Sequence, residues 1–268
     1  MTHPSVTYSS GIVTNPAIDG DNVILAGTQI SFQTGPVVLF SDGKNHVLNS
    51  IVEHGSPGSL AAGLMDIFPP LNSNVTITHG LHLSFGNLEL GSANGGTWAI
   101  DGRSTITNGS TFTASGGRLE ADPFILNGRM TVSHGSTADF LTAPVKGSGT
   151  IDVGAGSTVD LDRVTAGLHV DLAGGSLVTG QVFRMAFLGT IHESASGSVD
   201  VMNTADATQE IFHRSTGMLD LVNGSGTTVA ALKFSGDPTL YTTPNGSGGM
   251  DITTTHQAAS LPTIVMPH

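Results

Sequence analysis

The chain contains no cysteine, which removes both a disulfide framework and thiolate chemistry. Aromatic residues make up only 5% and charged residues 11% of the 268 positions, so bulky anchors for a thick globular core are scarce. Lys and Arg together number 9 against 21 Asp and Glu, a formal net charge of −12. That shortage of cations argues against nucleic acid, whose backbone is held by Lys and Arg neutralising phosphates, and against an anionic membrane surface. The acidity instead suits an extended soluble surface. No run of roughly 18 apolar residues occurs, so no membrane-spanning helix is expected. Met1-Thr-His-Pro-Ser-Val6 lacks the basic region and apolar core of a secretory leader. The expectation is a chain that stays inside, a mature form, or export by another signal.

What is abundant is Gly, at 36 residues, together with Ser and Thr. One phrase recurs: an apolar residue, three spacers ending in Gly, then a small polar pair. The copies are Ile106-Thr-Asn-Gly109-Ser-Thr111, Val132-Ser-His-Gly135-Ser-Thr137 and Val153-Gly-Ala-Gly156-Ser-Thr158. Looser ones are Leu172-Ala-Gly-Gly175-Ser-Leu177 and Ile77-Thr-His-Gly80-Leu-His82. The intervals separating Gly80, Gly109, Gly135, Gly156 and Gly175 shrink along the chain and settle at about 20 residues. Such a period is the signature of a solenoid, whose repeats bury their apolar faces only by stacking. The fold class expected is all-β, a β-solenoid (β-helix) with coils of about 20 residues.

Residues 1–55 read as short strands and turns, forming an N-terminal cap or joint. Val23-Ile-Leu25, Gln29-Ile-Ser-Phe32 and Val37-Val-Leu-Phe40 are separated by Gly-, Asp- and Pro-rich turns. Residues 56–73 form an irregular excursion. Within it Ser59-Leu-Ala-Ala-Gly-Leu-Met-Asp-Ile-Phe68 is the one candidate helix, stopped by Pro69-Pro70. Residues 74–180 form the repeat body. There Val75-Thr-Ile77, Leu81-His-Leu-Ser-Phe85, Thr111-Phe-Thr113, Ile151-Asp-Val153 and Val159-Asp-Leu161 alternate apolar with polar, as strands with one buried face do. Residues 181–255 form a C-terminal module, and 256–268 a tail.

The search for chemistry yields candidates rather than a constellation. Eleven histidines are present, without a His-Glu-x-x-His motif. His79 and His82, if they share a strand, face opposite ways and cannot share an ion. Asp160 and Asp162, two apart on an expected strand beside Arg163, point the same way. With Asp152 and Asp171 on adjoining coils they would line an acidic stripe. Such a stripe suits calcium or polysaccharide, and paired carboxylates suit acid–base work; the plainer alternative is an ordinary solvated sheet face. Gly116-Gly117, Gly174-Gly175 and Gly248-Gly249 lack the following x-G-x-D that calcium rolls use. Nucleotide and hydrolase fingerprints are missing as well. No cofactor is expected, calcium on the stripe excepted. Thr76/Thr78, Thr105/Thr107 and Thr111/Thr113 form Thr-x-Thr pairs too irregular for a crystal-binding array. Trp98, Tyr8 and Tyr241 give few stacking platforms for sugar.

Phe187-Leu-Gly-Thr-Ile191, Ser198-Val-Asp-Val201, Gly217-Met-Leu-Asp-Leu221, Val229-Ala-Ala-Leu-Lys-Phe-Ser-Gly236 and Gly248-Gly-Met-Asp-Ile-Thr253 follow one another in order. Together they resemble the C-terminal module that closes many secreted, repeat-rich β-solenoid proteins of α-proteobacteria, of the adhesin and autotransporter-passenger kind. Met250 stands where that pattern has Thr, and Val199-Asp200 lacks its preceding acidic turn. The resemblance implies an extracellular β-solenoid, exported without a conventional cleaved N-terminal signal. The function expected is non-enzymatic: a surface or matrix protein assembling head-to-tail with copies of itself, or an adhesin. Strand addition at a joint made by Val23, Ile24 and Leu25 with Ile264, Val265 and Met266 would build such a filament. The alternative is a protein that binds or degrades extracellular polysaccharide; a trimeric fibre shares the architecture, but this sequence lacks a trimerising coiled coil.

Overall fold

The computed structural model describes residues 4–8, 12–14, 20–25, 37–42, 44–54, 62–67, 73–92, 95–140, 142–181, 187–193, 197–236 and 238–253. Among them the chain forms 28 strands and no helix. The first seven are β1 (Ser5–Tyr8), β2 (Ile12–Thr14), β3 (Asn22–Leu25), β4 (Val37–Phe40), β5 (His46–Leu48), β6 (Ser50–His54) and β7 (Ala62–Ile67). Next come β8 (Asn74–Ile77), β9 (Leu81–Ser84), β10 (Asn87–Ser92), β11 (Thr97–Ile100), β12 (Ser104–Ile106), β13 (Thr111–Ser115), β14 (Arg118–Ala121), β15 (Phe124–Leu126) and β16 (Arg129–Ser133). Then follow β17 (Thr137–Phe140), β18 (Thr150–Gly154), β19 (Thr158–Leu161), β20 (His169–Ala173), β21 (Ser176–Thr179), β22 (Thr190–Glu193) and β23 (Ser198–Val201). The last are β24 (Ala207–His213), β25 (Met218–Asn223), β26 (Thr228–Phe234), β27 (Tyr241–Pro244) and β28 (Met250–Thr253).

These strands build three walls of a β-solenoid. The first wall is β1-β3-β6-β9-β12-β15, the second begins β2-β4-β7-β10-β13-β16-β18-β20-β22, and the third runs β5-β8-β11-β14-β17-β19-β21-β23. Within them the named pairings are parallel, and the chain visits third, first and second wall in turn. Along the third wall Thr97 pairs with Arg118, Arg118 with Thr137 and Thr137 with Thr158, so one coil takes about 20 residues, as a solenoid repeat does. In place of strands, bridges Val145↔Val164 and Val164↔Phe187 continue the first wall beyond β15.

Alternation does the rest. Every second side chain turns inward, and register stacks it on its equivalent one coil away. Leu88, Phe112, Met130, Ile151, Val170 and Ile191 form one such inner row, and Trp98, Leu119, Ala138, Val159, Leu177 and Val199 another. All of these side chains are buried. Large and small residues compensate along a row, as Trp98, Leu119 and Ala138 do. Phe112, Phe124 and Phe140 stack through the middle, with ring centroids 6.1 and 5.2 Å apart.

The recurring glycine phrase marks corners, and not one corner. Gly80 turns the chain from third to first wall, Gly109 from first to second, and Gly135, Gly156 and Gly175 from second to third. The uneven early spacings of the phrase follow from this hop between corners. In three copies the turn closes identically: Ser110, Ser136 and Ser157 donate N–H to Thr107, Ser133 and Gly154 carbonyls at 3.1, 3.1 and 3.0 Å. Gly109, Gly135 and Gly156 have φ of 84°, 74° and 73°, the positive value such turns demand. The serine that follows is buried in each, and two of the three stitch coils: Ser136 Oγ donates to Ala114 O at 3.0 Å, and Ser157 Oγ accepts from Gly135 N at 3.1 Å.

The helix expected over 59–68 is not formed: Ala62–Ile67 is strand β7, paired in parallel with β4 on one side and β10 on the other. Helix propensity in Leu-Ala-Ala is a weak preference, and two strands satisfying the ladder groups along the segment override it. The described part of the expected excursion thus contributes a rung to the same wall as its neighbours. At the C-terminal end the parallel pattern stops. β26 pairs parallel with β22, but β25 and then β24 add antiparallel to it. On the third wall β28 covers β23 antiparallel and β27 covers β28.

Candidate functional site

The most concentrated chemistry lies on the outer face of the third wall. Register places Glu120, Asp139, Asp160, Val178, Asp200 and Asp251 on successive rungs of one column. All but Val178 are carboxylates, about 4.8 Å apart from rung to rung. Like charges opposed in this way repel, so each needs a partner or a proton. Arg118 serves two of them: its Nε lies 2.7 Å from Glu120 Oε1 and its Nη2 donates to Asp139 Oδ2 at 2.6 Å. Asn245 Nδ2 donates to Asp200 Oδ1 at 2.7 Å. Burial nevertheless raises the pKa of Asp139 above the usual range, against the opposing Arg118 charge. Asp200 is raised chiefly by burial too, with Asn245 opposing and Asp251 adding to it.

Asp160 is the most perturbed. It is 8% exposed. Its Oδ2 accepts from Gln181 Nε2, while its Oδ1 is buried with no hydrogen-bond partner. Burial first, then the charges of Asp139 and Asp162, push its pKa up to about 7. Asp162 is fully buried and its Oδ1 accepts the Gln181 backbone N–H at 2.7 Å. One residue, Gln181, therefore covers both carboxylates, with main chain on one and side chain on the other.

The four residues expected on a single acidic stripe divide between two walls. Asp160 and Asp162 belong to the third wall and are buried, not solvated. Asp152 and Asp171 face each other in register on the second wall. There Arg129 clamps Asp152 through Nε and, at 2.6 Å, through Nη2 to Oδ1. Burial raises the Asp152 pKa, Arg129 opposes it, and Asp171 adds to it. Sequence reasoning missed Glu120, Asp139, Asp200 and Asp251. The signal that finds Asp139 is its place one repeat length before Asp160, on the same wall one coil earlier.

Beside the column lies a cavity of about 350 Å³ lined by Asp101, Glu120, Asp122, Asp139 and Thr142 among others. Asp122 is occupied internally: its Oδ2 accepts from Thr142 N and Oγ1 at 2.8 and 2.5 Å, and its Oδ1 from Ala143 N at 3.1 Å. Asp160 does not line this cavity. A carboxyl of raised pKa beside an ionised one is the acid–base pairing of hydrolases, yet here the carboxyl so raised, Asp160, is buried and bonded by Gln181. Among the described residues no group of three or more His, Asp or Glu is arranged to hold a metal ion. His79 and His82 do not share a strand; His79 lies in the turn before Gly80, and His82 is an outward residue of β9. Trp98 is buried and donates Nε1–H to Gly91 O at 2.8 Å, which removes it as a sugar platform, whereas Tyr241 on β27 is 46% exposed.

The residues expected at a subunit joint are placed as follows. Val23, Ile24 and Leu25 lie in β3, with β1 on one edge and β6 on the other, so among the described residues β1, not β3, is the outermost strand of that wall. Ile264, Val265 and Met266 lie outside the described residues. No protein-family model matches the chain, and no curated protein matches it significantly.

Proposed function

We propose that the chain is a non-enzymatic structural rod of an extracellular surface or matrix, adhesin-like, acting as a discrete particle through its side walls. The observation that carries this is the asymmetry of the two ends. Among the described residues the N-terminal end offers the parallel edges β1 and β2, the outer ladder groups of β5 being taken by Gly20 and Asp21, whereas at the C-terminal end the second and third walls finish in antiparallel strands. Its outermost strand β24 breaks register between Ala207 and Gln209, and β27 ends in Pro244. Bulges and prolines are how edge strands resist addition of further strands. This difference between the ends supports a discrete particle over an endless head-to-tail filament. The parallel run from β2 to β26 gives a wall of roughly 45 Å at about 4.8 Å per rung.

Two further points support the reading. The perturbed carboxylate Asp160 is covered by Gln181, which counts against catalysis. The likeness of residues 183–255 to the closing module of secreted β-solenoid proteins favours an extracellular setting. Polysaccharide or a cell surface is the partner class such a rod would meet. The test is electron microscopy and sedimentation over a concentration series, with and without calcium, plus a reducing-end assay on soluble polysaccharides. Discrete particles no longer than two rods, and no new reducing ends, are expected. Unbranched fibres overturn the discrete state, fibres with calcium alone return the acidic residues to the joint, and released sugar overturns the non-enzymatic assignment.

A further inference from the structure

Among the described residues three that are not glycine have positive φ: Phe85 at 57°, His134 at 56° and Asn203 at 55°. Two of these are compensated locally. His134 Nδ1 lies 3.1 Å from both Ser115 Oγ and Ser133 Oγ. Asn203 Nδ2 donates to Gly180 O and Gln181 O at 3.1 and 2.7 Å. The Phe85 side chain has no polar atom with which to form such a bond, and a bulky residue in this region is a true outlier. Nor does burial account for it, because Phe85 is 42% exposed. Strain held at an exposed aromatic residue is the pattern of a binding position.

The surroundings fit that. Asn87, Thr111, Arg129 and Thr150 are register partners on the second wall, so Phe85, Gly109, Asn127 and Ser148 occupy one corner column on four consecutive coils. A Cβ on Gly109 would meet Phe85 Cδ1 at 3.4 Å, so the ring lies against Gly109, which is one of the residues lining an open groove of about 370 Å³. The groove is lined by polar groups of three coils, Asn108, Asn127, Arg129 and Ser148 among them. Asn127 Oδ1 accepts Ser148 N–H at 3.3 Å, which ties this exposed side chain to the next coil. The one charged lining residue, Arg129, is already neutralised by Asp152.

We propose that this corner groove binds a neutral polysaccharide chain along the rod axis. Phe85 stacks against the apolar C–H face of one sugar ring. Asn108, Asn127 and Ser148 hydrogen-bond hydroxyls of the sugars that follow. Four rungs span roughly 14 Å, the reach of a short oligosaccharide. A neutral chain is favoured because the groove carries no unbalanced cation and the molecule's net charge of −12 repels an acidic one. The inference rests on the proposal of a non-enzymatic rod and names its side-wall partner.

The test combines binding with stability. Calorimetric titration of the full chain uses cellohexaose, maltohexaose and laminarihexaose as neutral probes and hexagalacturonate as the charged one. At least one neutral hexasaccharide is expected to bind, with affinity at least tenfold weaker in Phe85→Gly and in Asn127→Ala. Phe85→Gly relieves the backbone, so its Tm is expected to equal or exceed that of the parent. A fall in Tm on Phe85→Gly makes the ring a mere cover for Gly109 and overturns the proposal. So does binding unaffected by both variants, binding of the charged probe alone, or binding of none. Hydrolysis of a probe would strike the non-enzymatic assignment instead, which keeps the two failures apart.

Discussion

At Asp160 the cost of burying a carboxylate meets the charge of its rung neighbour. Folding raises its pKa from 3.8 to about 7, so the folded state holds a proton that the unfolded chain releases. The sign follows: stability from this group is complete below about pH 4 and is lost as pH rises through about 7. A difference of that size corresponds to a ceiling of about 4 kcal/mol. Asp139, Asp152 and Asp200 are shifted in the same direction, so thermal unfolding should occur at lower temperature at pH 8 than at pH 5. Asp160→Asn keeps an acceptor for Gln181 and removes the charge. It should raise stability at pH 8 by roughly 2–4 kcal/mol and flatten the slope between pH 4 and 7, as read by urea melts at several pH values. An unchanged slope in the variant would place the titration elsewhere. Two-residue alternation correctly put Asp160 on an outer face. It could not show that Gln181, a coil later, lies over it, since that cover depends on which residues the next turn brings alongside. Phe85 was equally illegible, because nothing in its neighbours announces a left-handed backbone.

At the scale of the strand, inner rows carry the stability. Phe124 sits between Phe112 and Phe140 and is 1% exposed. Phe124→Ala opens a cavity in a stack that rigid coils cannot close, and should cost about 3–5 kcal/mol. In a solenoid that loss is local. Hydrogen exchange should therefore accelerate in the rungs from β12 to β17 and leave β24–β26 protected. Uniform acceleration would mean that the rod opens as one unit. The strands and their inward faces were readable from alternation alone, and the length of a coil from the later glycine spacings. The glycine phrase was a less faithful ruler early in the chain, because the same positive φ and buried serine serve different corners: Gly109 joins first wall to second, and Gly135 and Gly156 join second to third. Ala62–Ile67 was misread for the opposite reason. Its local composition carries no trace of β4 and β10, and those two strands decide its conformation.

At the scale of the whole rod, the ends determine what it builds. A filament needs a head that fits a tail, and on the second and third walls the tail consists of antiparallel strands, which is why the discrete rod is proposed. The N-terminal edges remain, and the only like surface available to them is the same end of another molecule. That contact is two-fold: each edge meets its own copy, and it closes after two molecules. The expectation is a monomer–dimer equilibrium without larger species, seen by sedimentation velocity as a second boundary that grows with concentration and then stops. Ser5→Lys with Thr7→Lys, on exposed positions of edge strand β1, puts four cations across the two-fold axis and should abolish the dimer. Glu210→Lys on the closed end should leave it intact. The reverse result would move the contact to the C-terminal cap, and growth beyond the dimer would mean that the cap opens to admit a further coil.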